Sequence, residues 1–255
     1  MKKLLLGAAA ALAIAAPSVA AAQSGYVDLS YQTSDGDVNG VDTDGEGWSA
    51  GGATAWGGNG SLGVQLDGVY SSADDVSAWN LGAHLFSRND SHLFGGFVNF
   101  GNTDIDTAGD YDSWSAGLEG QIYLARTTID GALTYSEADD LDATFTAADV
   151  GATHFVTDNF SIGGGVGFGN VETTMIGSVE SDVLTYGLGA EWGFASAPIS
   201  IYGGWQHIDL EDFDTETDTL SIGVRYNWGG SLFERNRSGA SLARGGGLGR
   251  FAGLL

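Results

Sequence analysis

The chain has 255 residues, no cysteine, 42 glycines and 2 prolines, and its 33 acidic against 9 basic residues give a formal charge of −24. That balance excludes a nucleic-acid binder, which needs a basic face to neutralise phosphates, and the missing cysteines exclude disulfide and cysteine-zinc frameworks. With 43% hydrophobic and 11% aromatic residues the chain is too apolar for disorder.

The first element is a leader. Met1-Lys2-Lys3 forms a positive n-region, Leu4 to Ala16 an apolar run too short to span a bilayer as a helix, and Ala20 and Ala22 fit a small-residue cleavage site. Residues 1–22 therefore read as a signal peptide, and removing them leaves seven arginines, no lysine and a charge of −26. No later stretch approaches the 18 apolar residues of a transmembrane helix.

Beyond Gln23 the hydrophobic period is two, the period of a strand with two different faces. Val27, Leu29 and Tyr31 share one face; then come Trp48 to Trp56, Leu62 to Tyr70, Trp79 to Leu85, a mixed run Leu93 to Phe100, and Trp114 to Leu124. The second half continues with Ile129 to Tyr135, a less regular Ala148 to Val156, Ile162 to Phe168, Leu184 to Phe194, Ile199 to Trp205 and Leu220 to Trp228. This makes twelve strands joined alternately by short turns and longer loops. The six longer loops, Thr33–Glu46, Ser71–Ser77, Gly101–Asp112, Ser136–Asp142, Asn170–Asp182 and Asp209–Thr219, hold 24 of the 33 acids and no Lys or Arg. The short turns hold Asp90 and Asp158, matched by Arg88 and Arg126.

Soluble antiparallel sheets also alternate. The export signal, the short–long loop alternation and aromatics near both strand ends favour an all-β, transmembrane up-and-down antiparallel β-barrel of about twelve strands. In hydrocarbon an open sheet edge is not viable, so the sheet must close. A secreted sandwich and a calcium β-roll are the soluble alternatives, and the nonapeptide repeat of the latter is absent. The domains are then 1–22 signal peptide, 23–228 barrel and 229–255 a Gly/Arg-rich tail.

On these features the chain resembles the small porin-like outer-membrane β-barrel proteins of Gram-negative bacteria, over roughly Tyr26 to Trp228. The last strand, Leu220-Ser221-Ile222-Gly223-Val224-Arg225-Tyr226-Asn227-Trp228, is similar to the family's C-terminal assembly signal, which ends in an aromatic residue. The resemblance implies an outer-membrane location with both termini periplasmic, and as partners the barrel-assembly machinery and the outer-membrane lipid and lipopolysaccharide. It assigns no oligomeric state. The pattern departs from the family's in the 27 residues after Trp228, which points to an internal insertion signal.

The candidate pore lining is Asp28, Asp67, His84, Glu119, Asp130, Glu191 and Arg225, all on the polar face, which Asp149 shares. Small polar neighbours imply a water-filled passage rather than a packed plug, and an acidic mouth raises the local cation concentration. The leading reading is a porin-like passive channel for ions and small hydrophilic solutes, mildly cation-selective. The alternative is a non-conducting structural or surface-interaction barrel with acidic loops.

The first loop matches a calcium-loop pattern, with Asp35, Asp37, Asn39 and Glu46 as oxygen donors and Gly40 at the turn. Asp42 in the place of an apolar residue and strand flanks favour a solvated acidic loop, and no other cofactor is expected. A barrel phospholipase needs a His and a Ser two apart on one strand; none of His84, His92, His154 and His207 has one, so no catalytic residue is assigned and the protein is not expected to be an enzyme. The tail carries four arginines against Glu234. It reads either as a disordered glycine-rich segment or as a segment that folds back into the acidic lumen and restricts it.

Overall fold

The computed structural model describes residues 24–243 apart from 59, 61, 107–108, 139–140 and 175–178; the leader and residues 244–255 lie outside the described residues. Among the described residues twelve strands form one closed barrel in which each strand pairs antiparallel with its chain neighbours and β1 pairs with β12. They are β1 Ser24–Val38, β2 Val41–Gly57, β3 Leu62–Ala73, β4 Val76–Arg88, β5 His92–Ile105, β6 Gly109–Tyr123, β7 Thr127–Ala138, β8 Ala143–Thr157, β9 Phe160–Thr173, β10 Val179–Gly193, β11 Ile199–Leu210 and β12 Thr215–Trp228. The seam runs in unbroken register from Gly25 opposite Trp228 to Val38 opposite Thr215. One irregularity, between Phe155 and Thr157, explains the weaker alternation expected at the end of the eighth strand.

The apolar series of each strand faces outward. Leu62, Phe94 and Leu220 are more than 60% exposed, as side chains in contact with lipid must be in an isolated chain. The mixed run Leu93 to Phe100 resolves the same way: Phe94, Val98 and Phe100 face out, while Leu93 and Phe97 are apolar residues turned inward and buried. Aromatic belts form by cross-strand pairing. Trp48 and Tyr70, Trp114 and Tyr135, and Tyr186 and Trp205 meet at 5.4–5.6 Å toward one end; at the other, Trp192 stacks on Phe194 two residues further along the same chain segment.

The expected long loops are mostly strand. β1 and β2 run to a two-residue turn at Asn39-Gly40, both with positive φ (54° and 78°), the left-handed pair that a tight hairpin requires. Acidic side chains do not interrupt strand pairing when each can point into water, so the ladder continues past the aromatic belt. Strands of 12 to 17 residues exceed the roughly 9–11 needed to cross a bilayer, and the surplus stands above the belt at the hairpin end.

Inside the wall, bulky rings lie flat on cross-strand glycines. A Cβ on Gly223 would sit 2.4 Å from the Tyr202 ring, and one on Gly117 would sit 2.4 Å from Phe97. These close approaches are a reason for the high glycine content that has nothing to do with flexible loops.

Candidate functional site: the barrel lumen and its folded-back tail

All seven candidate pore residues lie on the inner face, but they do not form a ring. They sort into two networks and a remainder. On the β3–β6 side, His84 sits between two carboxylates: Nδ1 hydrogen-bonds Glu119 Oε1 at 2.7 Å and Nε2 lies 2.8 Å from Asp67 Oδ2. The three side chains are at most 2% exposed. Gln65 donates to Asp67 at 3.3 Å, and the Phe97 ring packs 5.7 Å from the imidazole. Two carboxylates around one ring are complementary to the imidazolium, whose two nitrogens both donate.

At the barrel seam, Asp28 and Arg225 are direct register partners across β1 and β12. Arg225 donates to Asp28 through Nε and NH2 at 3.2 and 3.0 Å, and to Glu191 through NH1 at 2.7 Å. Its guanidinium is clamped between the Tyr26 and Tyr202 rings at 4.2 and 4.5 Å. The closing pair of strands is thus fastened by side chains as well as by its ladder.

Asp130 and Asp149 stand on the opposite wall, half-buried on adjacent strands. Beside them the inner faces of β8, β9 and β10 carry glycine at Gly151, Gly165 and Gly187, which are register neighbours, and again at Gly163 opposite Gly189. With few bulky side chains on this wall, a cavity of about 260 Å³ remains next to it.

The other boundary of the cavity is the tail, which corrects the expectations of a disordered segment and of a lumen without a plug. Gly229 and Gly230, with φ of 91° and 119°, reverse the chain after Trp228. Helix α1, Leu232–Ser238, then starts on a capping box: Ser231 Oγ accepts from the Glu234 amide at 3.2 Å, and the Glu234 carboxylate accepts from the Ser231 amide at 2.9 Å. Those Ser231 donors hold the Glu234 carboxyl below its ordinary range. Leu232 and Arg235 are buried. Arg235 lies 3.7 Å from Glu191; burial lowers its pKa to about 10, with Glu191 opposing the drop, so it stays charged at neutral pH. Arg237 caps the β6–β7 turn by donating to the carbonyls of Leu124 and Thr127 at 2.6 and 3.1 Å.

After α1 the tail crosses the lumen. The Ala240 amide donates to Ser24 at 3.1 Å, Arg88 and Gln121 donate to Ser241 at 2.8 and 3.1 Å, and Gln65 engages both backbone groups of Leu242 at 2.9 and 3.2 Å. The Leu242 side chain completes an apolar cluster with Phe86, Leu93 and Tyr123. Arg88 belongs to this contact, 1% exposed with its guanidinium over Phe86, and is not the partner of Asp90 that its position in a turn suggested. Arg126 does pair with Asp158, at 2.9 Å.

Sequence reasoning missed Gln65, Arg88 and Gln121 because neutral or basic lumen residues look alike until the tail is seen to need them. The available signal was the charge contrast between a basic tail and an acidic barrel.

Asp35, Asp37, Asn39 and Glu46 do not make a calcium-binding loop of the expected shape. Asp35, Asp37 and Glu46 lie along the outer face of a regular hairpin, with Asp35 opposite Asp44 and Asp37 opposite Asp42, and Asn39 sits in its two-residue turn; Glu46 accepts a hydrogen bond from the Tyr31 hydroxyl. A strand ladder spreads alternate side chains along a line, whereas a calcium loop wraps its oxygens around a point. Among the described residues no group of three or more His, Asp or Glu is arranged to hold a metal.

No protein-family model matches the chain, and no curated protein sequence matches it. Solved structures do. The COG4313 outer membrane channel from Pseudomonas putida F1 superposes with a TM-score of 0.62 at 12% identity, covering 80% of this chain and 95% of that one. The translocator domain of autotransporter NalP from Neisseria meningitidis gives 0.53 at 13% identity over 86% and 94%. The KdgM porin gives 0.52 at 8% identity over 79% and 99%. The fold is that of an outer-membrane β-barrel. At these identities the likeness carries the architecture and leaves the lumen chemistry to this chain's own residues.

Proposed function

We propose that the protein is an outer-membrane, porin-like passive channel for ions and small hydrophilic solutes, with a mild preference for cations. The observation that carries this reading is the open volume inside a closed barrel, bounded among the described residues by a glycine-rich wall, three carboxylates and two guanidiniums. A polar interior that retains space suits conduction, and net negative charge in a confined lumen favours cations. Two of the solved neighbours are described as a channel and a porin, which supports the general class. A KdgM porin has been seen with oligogalacturonate; the acidity of this chain argues for cations and neutral solutes instead of polyanions. Both termini would face the periplasm, with the hairpin end outside. Purified protein in planar bilayers should give discrete current steps whose reversal potential in a KCl gradient favours potassium. No current, or a chloride preference, would defeat the reading.

One observation favours a surface role alongside conduction. Belt aromatics hydrogen-bond outward-facing acids just above them: Tyr135 to Glu137 at 3.3 Å and Trp205 to Asp218 at 2.9 Å. This outer collar faces the headgroup layer, where divalent ions would bridge it to lipopolysaccharide phosphates. Calcium titration of the protein in lipopolysaccharide-containing and lipopolysaccharide-free bilayers should give heat only in the former; equal heats would remove the bridging role.

A further inference from the structure

The segment that follows α1 is read position by position. Gly239 to Ala243 joins no strand ladder, yet four successive residues each meet a separate requirement. A Cβ on Gly239 would overlap the Ser24 side chain, so glycine alone passes there. Ala240 completes a small apolar cluster with Tyr26, Ala53 and Ala55, where a methyl group fits, and its amide donates to Ser24 at 3.1 Å. Ser241 Oγ accepts from Arg88 at 2.8 Å and donates to Gln121 Oε1 at 3.2 Å, while the Ser241 carbonyl accepts from Gln121 Nε2 at 3.1 Å. Gln65 holds both the amide and the carbonyl of Leu242, as a neighbouring strand would, and the Leu242 side chain enters the pocket of Phe86, Leu93 and Tyr123.

These reading groups are held by the barrel as well as by the tail. Gln65 also donates to Asp67 at 3.3 Å, the Tyr123 hydroxyl donates to Gln121 at 2.9 Å, and the Arg88 guanidinium lies 4.8 Å over the Phe86 ring. They stand on the successive strands β1 to β6, from Ser24 to Gln121. Side-chain amides aimed at a backbone, with one apolar pocket beside them, are the elements by which proteins recognise extended peptides: main-chain hydrogen bonds give affinity and pockets give specificity. The tail reaches this cradle on a tether. Gly229 and Gly230 reverse the chain, and the seven-residue α1 is too short to be stable without its contacts. A segment held in this way is an intramolecular occupant of a site that is separable from it.

We propose that the inner wall of β1–β6 is a binding site for an extended peptide of the form Gly-Ala-Ser-Leu, and that the tail is its resident ligand in cis, in competition with a free peptide of the same chemistry. The site goes beyond the channel reading and stands or falls without it.

The test is fluorescence anisotropy of a labelled hexapeptide, Ser-Gly-Ala-Ser-Leu-Ala, the sequence of residues 238–243. It is titrated with the full chain in detergent micelles, where both ends of the barrel meet solvent. In the wild type the tethered tail competes at a roughly millimolar effective concentration, so the peptide binds weakly. Leu242→Asp drives the tail's own side chain out of the apolar pocket, and the peptide should bind this variant at least about tenfold more tightly. Adding Gln65→Leu to Leu242→Asp should undo the gain, and a peptide with Asp in place of Leu should bind neither protein. Equal affinity for the wild type and Leu242→Asp, no binding to Leu242→Asp, indifference to Gln65→Leu, or binding of the Asp peptide overturns the proposal. If Leu242→Asp does not fold, hydrogen exchange on the wild type decides. Saturating unlabelled peptide should then accelerate exchange at the Leu242 amide severalfold and leave the barrel strands slow; no acceleration overturns the site.

Discussion

Replacing His84 by asparagine removes the one cation between Asp67 and Glu119. With contacts of 2.8 and 2.7 Å on opposite sides of an imidazole ring, the two carboxylate oxygens are roughly 7 Å apart, so their uncompensated repulsion at an effective dielectric of ~20 is about 2 kcal/mol. Glu119 also loses a charge-assisted hydrogen bond worth about 1.5–3 kcal/mol. Neither side chain has more than 2% of its surface exposed, so water recovers little of that loss. The expected destabilisation is about 3–5 kcal/mol, the range for breaking a buried ion network by removing one partner. Urea unfolding of the barrel in lipid vesicles, followed by tryptophan fluorescence, measures it. The decisive control is His84→Asn placed in an Asp67→Asn/Glu119→Gln background. With no carboxylates left to strand, the same substitution should cost less than half as much. A loss below about 1 kcal/mol in the wild-type background, or equal losses in both backgrounds, would refute the electrostatic account.

Gly223→Ala should cost about 1–3 kcal/mol by overpacking, since its three nearest atoms all belong to the Tyr202 side chain. Tyr202→Ala in the same chain should make that cost largely disappear, and an additive double variant would contradict the contact. Gln65→Leu strands the amide and carbonyl of Leu242, at about 1–3 kcal/mol for each unsatisfied group; hydrogen exchange at the Leu242 amide should accelerate while exchange in the barrel strands stays slow. The capping box gives a pH dependence. Because the Glu234 carboxyl is held below its ordinary value by the Ser231 donors, its contribution to α1 is complete above the unfolded carboxylate range and fades as pH falls through the lowered value. Amide protection in α1 should therefore drop on acidification, and Glu234→Gln should abolish that dependence.

The barrel was legible because each lipid-facing strand must carry an apolar residue at every second position, and Leu220-Ile222-Val224-Tyr226-Trp228 shows that period without interruption. The inward placement of Asp28, Glu119 and Arg225 followed from parity alone. Partnership did not follow. That Asp28 meets Arg225 depends on how β1 closes on β12 after 176 intervening residues, and that His84 lies between Asp67 and Glu119 depends on side-chain reach between strands. Strand ends were illegible for a different reason. Past the belt the ladder persists with water on its outer face, so Asp35, Asp37, Asp42 and Asp44 look like loop composition while sitting in regular register. The Asn39-Gly40 pair was the local signal that the hairpin is tight. The sequence left the tail between a disordered segment and one folded back into the lumen, because a segment rich in Gly and Arg can bury little apolar surface of its own. It is ordered instead by backbone hydrogen bonds that barrel residues such as Gln65, Gln121 and Arg88 hold ready.

That register also relocates the source of any cation preference. A ring of carboxylates around the mouth would raise cation concentration at the entrance. The strand acids of the hairpin end, among them Asp35, Asp44, Asp112, Glu180 and Glu216, instead share the parity of the lipid-facing series and point away from the axis. The inner positions between them are neutral, as at Ser34, Thr217 and Ser221, and an apolar cluster of Phe145, Ala147 and Val183 lies inside the same end. Outward carboxylates are separated from the passage by the barrel wall and screened by salt over about 8 Å at physiological ionic strength. Their field at the axis is therefore weak. Neutralising outer acids in the pair Asp35→Asn/Asp37→Asn should leave the reversal potential close to that of the wild type. A large shift would place selectivity at the mouth.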